Sequence, residues 1–380
     1  MKKLIAVVLS LCIAFSLAAC APAAPAPAPA PAPAAPEAPA APAPAPAAPE
    51  KLYIPVIAKG FQHQFWQVVA QGAAKAASDL GVDVYFIGPP SEADIDKQVD
   101  MLKTEMAKNP VAIALAALST DAVMEQLQEC INLGIPVIGF DSGVPNAPAG
   151  AIYATASTNN QNAAAIAADE FSKLEGFMDM LASGTEKAPV VIAVLSQDAT
   201  SESVTGRTIG FINRMKEIAE GVAPGAVEVT GHERYNAPSE KPATIRIVAQ
   251  VSQSPDIVDV TNAANALLNM DNLKAVFCSN EGTVTGLLAA TSDGSDLASG
   301  GRYDGLIVAG FDAGAPQKNA VRNGWFVGSI TQDPFNIGYL AVDLAYKAAN
   351  GEAVADKDTG AKWYTAQNID NPEIKDLVYD

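Results

Sequence analysis

From Leu52 onward, short apolar runs alternate with stretches whose apolar residues recur at helical spacing. Leu52–Ala58 reads as a strand, Gln64–Leu80 as a helix stopped by Gly81, and Val82–Ile87 as a second strand. A helix over Ala93–Lys108 follows, then a strand over Val111–Leu118, a helix over Asp121–Asn132 stopped by Gly134, and a strand over Pro136–Phe140. The pattern then restarts. Asn160–Phe171 reads as a helix, Val190–Leu195 as a strand, Gly206–Ile218 as a helix and Ala226–Thr230 as a strand. Thr261–Leu268 belongs to a helix, and Lys274–Cys278 and Leu306–Phe311 are further strands. Near-continuous apolar strands separated by helices imply βαβ units and parallel sheets covered on both faces. The expected fold is therefore α/β, with two successive lobes of similar build over a length that suits two domains.

The chain before Leu52 has a different pattern. Lys2 and Lys3 precede an apolar run from Leu4 to Leu17, and Ala18-Ala19-Cys20 ends it with small residues. This is the layout of a secretory signal, and the run is short for a membrane span. Leu17-Ala18-Ala19-Cys20 resembles the lipobox of bacterial lipoproteins, which implies removal of residues 1–19 and lipid attachment to Cys20. Every residue from Ala21 to Glu50 is Ala, Pro or Glu. Such a segment has no core to build and is expected to act as a stiff tether of about 3.1 Å per residue. The expected location is the outer face of the cell membrane, or the periplasm.

Composition narrows the function. The chain has 24 Lys and Arg against 42 Asp and Glu, a net charge of −18, which disfavours nucleic acid as a partner. Cys130 and Cys278 fall in different lobes and are expected to be buried apolar residues rather than a disulfide. With only two histidines, His63 and His232, no metal-ligand spacing, no phosphate-binding glycine loop and no nucleophile elbow, neither metal, cofactor nor catalysis is expected.

In open parallel sheets, ligands bind beyond the carboxyl ends of the strands. There the sequence places Lys59, His63, Phe65, Trp66, Asp141, Ser142, Arg207, Asn280, Asp312 and Gln332. Amide and charged groups meet hydroxyls, and aromatic rings cover C–H faces, so the set suits a sugar. Each residue also has a structural use: Phe65 and Trp66 as core, Arg207 as an ion-pair partner, Asp141 and Asp312 as helix caps, and Lys59 and His63 as surface groups. Glu281 reads as a loop charge.

The chain resembles type I periplasmic binding proteins, the ribose- and galactose-type receptors of ABC importers. The resemblance rests on Phe61-Gln-His-Gln-Phe-Trp66, Gly134-Ile-Pro-Val-Ile-Gly-Phe-Asp-Ser142, Gly206-Arg207 with Gly210-Phe211, Phe277-Cys-Ser-Asn280, Gly310-Phe-Asp312 and Gly328-Ser-Ile-Thr-Gln-Asp-Pro334. It implies two doubly wound lobes, 51–157 plus 333–362 and 158–332 plus 363–380, joined by a three-stranded hinge. It also implies a monomer that delivers a monosaccharide to a permease. In that frame Phe65 and Trp66 would cover the sugar ring, Asp141 and Asp312 would accept from its hydroxyls, Arg207 and Asn280 would donate, and Gln332 would act at the hinge. Asp312→Ala would then remove binding with little effect on the unliganded protein. Ser142 stands where ribose receptors carry arginine. With Lys59, it also resembles receptors for autoinducer-2, so a signalling or chemotaxis receptor is the second expectation. A repressor of the same fold would need a DNA-binding segment where the signal and tether stand.

Overall fold

The computed structural model describes residues 51–379, and the signal, the Cys20 anchor and the tether lie outside them. The chain begins with β1 (Tyr53–Ile57), α1 (Gln64–Leu80), β2 (Asp83–Ile87), α2 (Ile95–Met106), β3 (Ile113–Leu115), α3 (Met124–Leu133), β4 (Val137–Phe140) and β5 (Ile152–Ser157). These strands form a parallel sheet in the order β5-β4-β3-β1-β2. Both predicted stops are left-handed caps: Gly81 and Gly134 have φ of 68° and 69°, and their N–H groups bond back into the last turns of α1 and α3. A side chain there would be strained, which is why glycine ends a helix so legibly.

After β5 the chain enters a second sheet. It runs through α4 (Asn160–Ser172), α5 (Phe177–Ala182), β6 (Val190–Ser196), α6 (Glu202–Val222), β7 (Val227–Thr230), β8 (Ile245–Val251), α7 (Ile257–Leu268), β9 (Leu273–Cys278), α8 (Glu281–Ala290), β10 (Ile307–Phe311), α9 (Ala315–Arg322) and β11 (Gly328–Thr331). Next, α10 (Pro334–Ala349) returns to pack on α1, and β12 (Lys357–Asp358) joins the first sheet beside β5. Finally β13 (Lys362–Tyr364) pairs antiparallel with β11, and α11 (Pro372–Lys375) closes the chain. The second sheet has the order β13-β11-β10-β9-β6-β8-β7. The chain thus passes between the sheets three times, after Ser157, Thr331 and Asp358.

Strands β6, β9 and β10 are buried along almost their whole length, as continuous apolar runs require. Phe211 of α6 stacks on Phe277 of β9 with ring centroids 4.6 Å apart, and Phe171 of α4 meets Phe211 edge-on. Cys130 and Cys278 are free and buried, as expected. Strands β8 and β11 were not among the expected ones. In β8, an apolar run interrupted by two polar residues, Arg246 Nε donates to Glu228 Oε1 on β7 at 2.6 Å. The fully buried β11 is Gly-Ser-Ile-Thr, too small and polar to read as a core strand.

Candidate ligand-binding site

The carboxyl ends of both sheets face one another across a closed cleft. Lys59 follows β1, and His63, Phe65 and Trp66 stand at the start of α1. Asp141 follows β4 and Asp312 follows β10. Both adopt left-handed backbone, with φ of 54° and 81°. Aspartate tolerates this region better than most residues, and such conformations concentrate where a binding geometry is held against local preference. Asn280 is the N-cap of α8, its side chain accepting from Thr283 N while Thr283 Oγ1 accepts from Asn280 N. Arg207 projects from α6, and Gln332 lies at the second crossing.

Lys59, His63, Phe65, Trp66, Asp141, Arg207, Asn280, Asp312 and Gln332 line one small cavity between the two walls. A wider groove on the outer side of β2, lined by exposed Phe61 and Tyr85, carries none of these residues. Ser142 is not among the lining residues. It lies behind Asp141, fully buried, and its hydroxyl accepts from Ser203 N at 3.3 Å.

Two acids complete the wall. Glu92, beyond β2, accepts from Trp66 Nε1 at 2.8 Å and from Gln197 Nε2 at 2.7 Å. The strand ends singled out in the sequence omitted that of β2, although the same rule would have led to it. Glu281 is not a loop charge: it is 7 % exposed, stands first in α8 and lines the cavity. From sequence it is an ordinary acid at a helix N-terminus, where acids suit the dipole. Its burial comes from the other sheet, which no local pattern reveals.

Arg207 organises the second wall. Its Nε donates to Asn160 Oδ1 at 2.9 Å and its NH1 to Ser279 O at 3.3 Å and Asp312 Oδ2 at 3.4 Å. The guanidinium lies 3.9 Å over the Phe311 ring and reaches to 4.0 Å from Asp141 Oδ1 on the opposite side. Gln332 Nε2 donates to Asp312 Oδ1 at 2.6 Å. In the first wall, Lys59 Nζ stands 3.5 Å from Asp141 Oδ2 and donates across the cleft to Ser203 Oγ at 3.1 Å.

Burial alone would lower the Lys59 ammonium, but Asp141, Glu92 and Asp198 outweigh it and hold the pKa above its ordinary value. Burial works against the Glu92 charge too, yet Lys59, His63 and the bonds from Trp66 and Gln197 keep Glu92 below the usual carboxylate range. Asp141 goes the other way. Burial pushes it up against the pull of Lys59 and Arg207, and the nearby Asp312 and Glu92 charges add to the rise. Asp141 Oδ2, Glu281 Oε2 and His63 Nε2 are buried without a hydrogen-bond partner. Buried polar groups normally find partners, so these three atoms are open to hydrogen bonds from whatever occupies the cavity. Among the described residues no group of three or more His, Cys, Asp or Glu side chains could hold a metal ion, and no helix is long and apolar enough to cross a membrane.

The model of the periplasmic binding protein domain matches residues 54–353. A D-allose-binding periplasmic protein of Escherichia coli (strain K12) is 24% identical over 320 residues, covering 83% of this chain and 90% of that protein. Among solved structures, a Brachyspira murdochii protein described as an ABC transporter, LacI family transcriptional regulator is 40% identical with a TM-score of 0.72. The match covers 87% of this chain and 99% of that one. A carbohydrate transporter solute-binding protein from Agrobacterium radiobacter, solved with D-arabinose, is 25% identical with a TM-score of 0.70, covering 87% of this chain and 100% of that one. An ABC transporter solute-binding protein from Agrobacterium vitis, solved with D-fucose, is 27% identical with a TM-score of 0.70, covering 86% of this chain and 100% of that one. The fold, the three crossings between sheets and the match along most of the chain have one reading: this protein belongs to the type I periplasmic binding protein family.

Proposed function

We propose that the protein is the extracytoplasmic receptor of an ABC importer, binding one uncharged monosaccharide between its two sheets and handing it to a permease. The observation that carries this reading is the pairing of Asp141 and Asp312 across the cleft with Arg207 between them. Phe65 and Trp66 supply the apolar wall beside them. Hydrogen bonds to such charged groups contribute about 1.5–3 kcal/mol each, enough for a few of them to hold a small polyol. A pentose and a methyl pentose bound by similar proteins support the size class.

Isothermal calorimetry of the purified chain with D-allose, D-ribose, D-arabinose and D-fucose should give saturable heat with at least one, and chromatography should recover that sugar unchanged. Absence of heat from every pentose and hexose tried would sink the reading, and turnover would replace it with an enzyme. A second reading, a receptor for autoinducer-2, is favoured by Lys59 beside Asp141 and by Ser142 in place of arginine. Autoinducer-2 belongs in the same titration, and tight binding of it with pentoses ignored would select signalling.

The chain is held as a monomer at the membrane through lipid on Cys20, the Ala/Pro segment giving it reach toward the permease. Cys20→Ser should move the protein from the membrane fraction to the soluble exported fraction without changing sugar affinity. Retention of the variant in membranes refutes the anchor.

A further inference from the structure

Helix α1 opens into the cavity without a cap of its own. Its N-cap residue, His63, makes no side-chain cap bond, and no acid stands in its first turn. The first N–H groups of a helix need partners from elsewhere. Here they find one across the cleft. Gln64 N donates to Glu281 Oε1 at 3.2 Å, and the Phe65 N–H turns to the same carboxylate. The favour is returned. Helix α9 opens on Gly314, which has no side chain to cap with, and Ala315 N donates to Gln64 Oε1 at 2.8 Å. The first residue of α1 therefore caps α9 in the opposite wall, while the first residue of α8 caps α1.

Gly314 makes room for both. A methyl group on it would stand 2.7 Å from Glu281 Oε1 and 3.1 Å from Gln64 Oε1, although its φ of −67° would accept any residue. The other carboxylate oxygen, Glu281 Oε2, is buried in the cavity wall with no partner. One carboxylate thus joins the two walls and keeps one acceptor for whatever lies between them.

We propose that Glu281 is a latch coupling occupancy to closure: Oε1 caps α1 only when the walls meet, and Oε2 accepts a hydrogen bond from a hydroxyl of the bound monosaccharide. The second half rests on the sugar-receptor reading above; the capping does not. A capping bond of this kind contributes about 1 kcal/mol, so losing the α1 cap and a ligand contact should accelerate release by about tenfold or more.

The test takes the tightest binder among D-allose, D-ribose, D-arabinose and D-fucose and follows its dissociation by stopped-flow Trp fluorescence. Glu281→Ala should release the sugar at least about tenfold faster, with the melting temperature of the sugar-free protein unchanged. Hydrogen exchange supplies a readout that a merely structural role would not move. Amides of residues 61–67 should lose sugar-dependent protection in Glu281→Ala and regain it in Glu281→Gln, which keeps an oxygen for the cap. Gln64→Ala should expose residues 313–318 in the same way, and Gly314→Ala should expose both segments with every capping side chain present. Unchanged release and protection in Glu281→Ala overturn the proposal, as does a fall in sugar-free stability with release unchanged. If none of the four sugars binds, the receptor reading fails first. The capping half is then judged on oxidised Gln64→Cys/Glu281→Cys protein, where failure to form a disulfide between the two walls overturns it.

Discussion

Asp141→Asn should weaken monosaccharide binding by about 30-fold to several thousand-fold, corresponding to about 2–5 kcal/mol, while the sugar-free melting temperature moves by no more than about 2 °C. Asparagine keeps the shape and accepts the left-handed backbone at φ 54°. What it loses is charge, at a side chain whose Oδ2 has no hydrogen-bond partner and whose contact with Arg207 spans the cleft. In the variant an amide N–H faces either the ligand hydroxyl or the Lys59 and Arg207 cations, so donors meet donors. Titration calorimetry and differential scanning calorimetry of the two proteins measure both halves. Undiminished affinity would show that Asp141 merely balances Lys59.

Asp312→Asn should behave differently, and this revises the expectation that Asp312 serves the ligand alone. Asp312 receives Arg207 NH1, Gln332 Nε2 and Glu281 N, all without help from the first sheet. Removing its charge disorders that wall even in the empty protein. The sugar-free melting temperature should therefore fall by several degrees, on a cost of about 1–3 kcal/mol, alongside the loss of affinity. The two aspartates look alike in sequence, each ending a strand before a small residue. Only their hydrogen bonds separate them: Asp141 Oδ2 has none, whereas Asp312 is bonded into its own wall.

That difference marks how far the sequence could be read. Gln64–Leu80 was legible to the residue because its apolar stripe is regular and Gly81 needs positive φ. The strand ends were legible because parallel sheets put their ligands there, so most of the cavity wall followed from strand assignment alone. Glu281 was not, since its role is set by Gln64 of the other wall, 217 positions away. Helix α10 left a signal that went unread: Asp333 accepts from Asn336 N, and Pro334 opens the first turn, the usual start of a helix. Its apolar residues wrap most of its circumference, because it is covered by α1 on one side and by the first sheet on the other, so it shows no single stripe.

The packing of α10 on α1 supplies the second large effect. Gly338 of α10 lies against the Val69 carbonyl of α1, and Gly72 of α1 against the Phe335 carbonyl of α10. A methyl group at either position would fall well inside contact distance of backbone, which cannot swing aside as a side chain can. Gly338→Ala should therefore force the helices apart at a cost of about 1–3 kcal/mol or more, lowering the melting temperature by about 3–10 °C. Gly221→Ala in α6 is the matched comparison. Nothing lies within 4 Å of the added methyl, so the reduced freedom of the unfolded chain should stabilise that variant by up to about 1 kcal/mol. The same substitution in two helices then shifts the melting temperature in opposite directions. If Gly338→Ala melted no lower than wild type, α10 would not be held closely on α1. The second segment of the first lobe, supplied after the chain has already built most of the other, would then be loosely attached rather than part of its core.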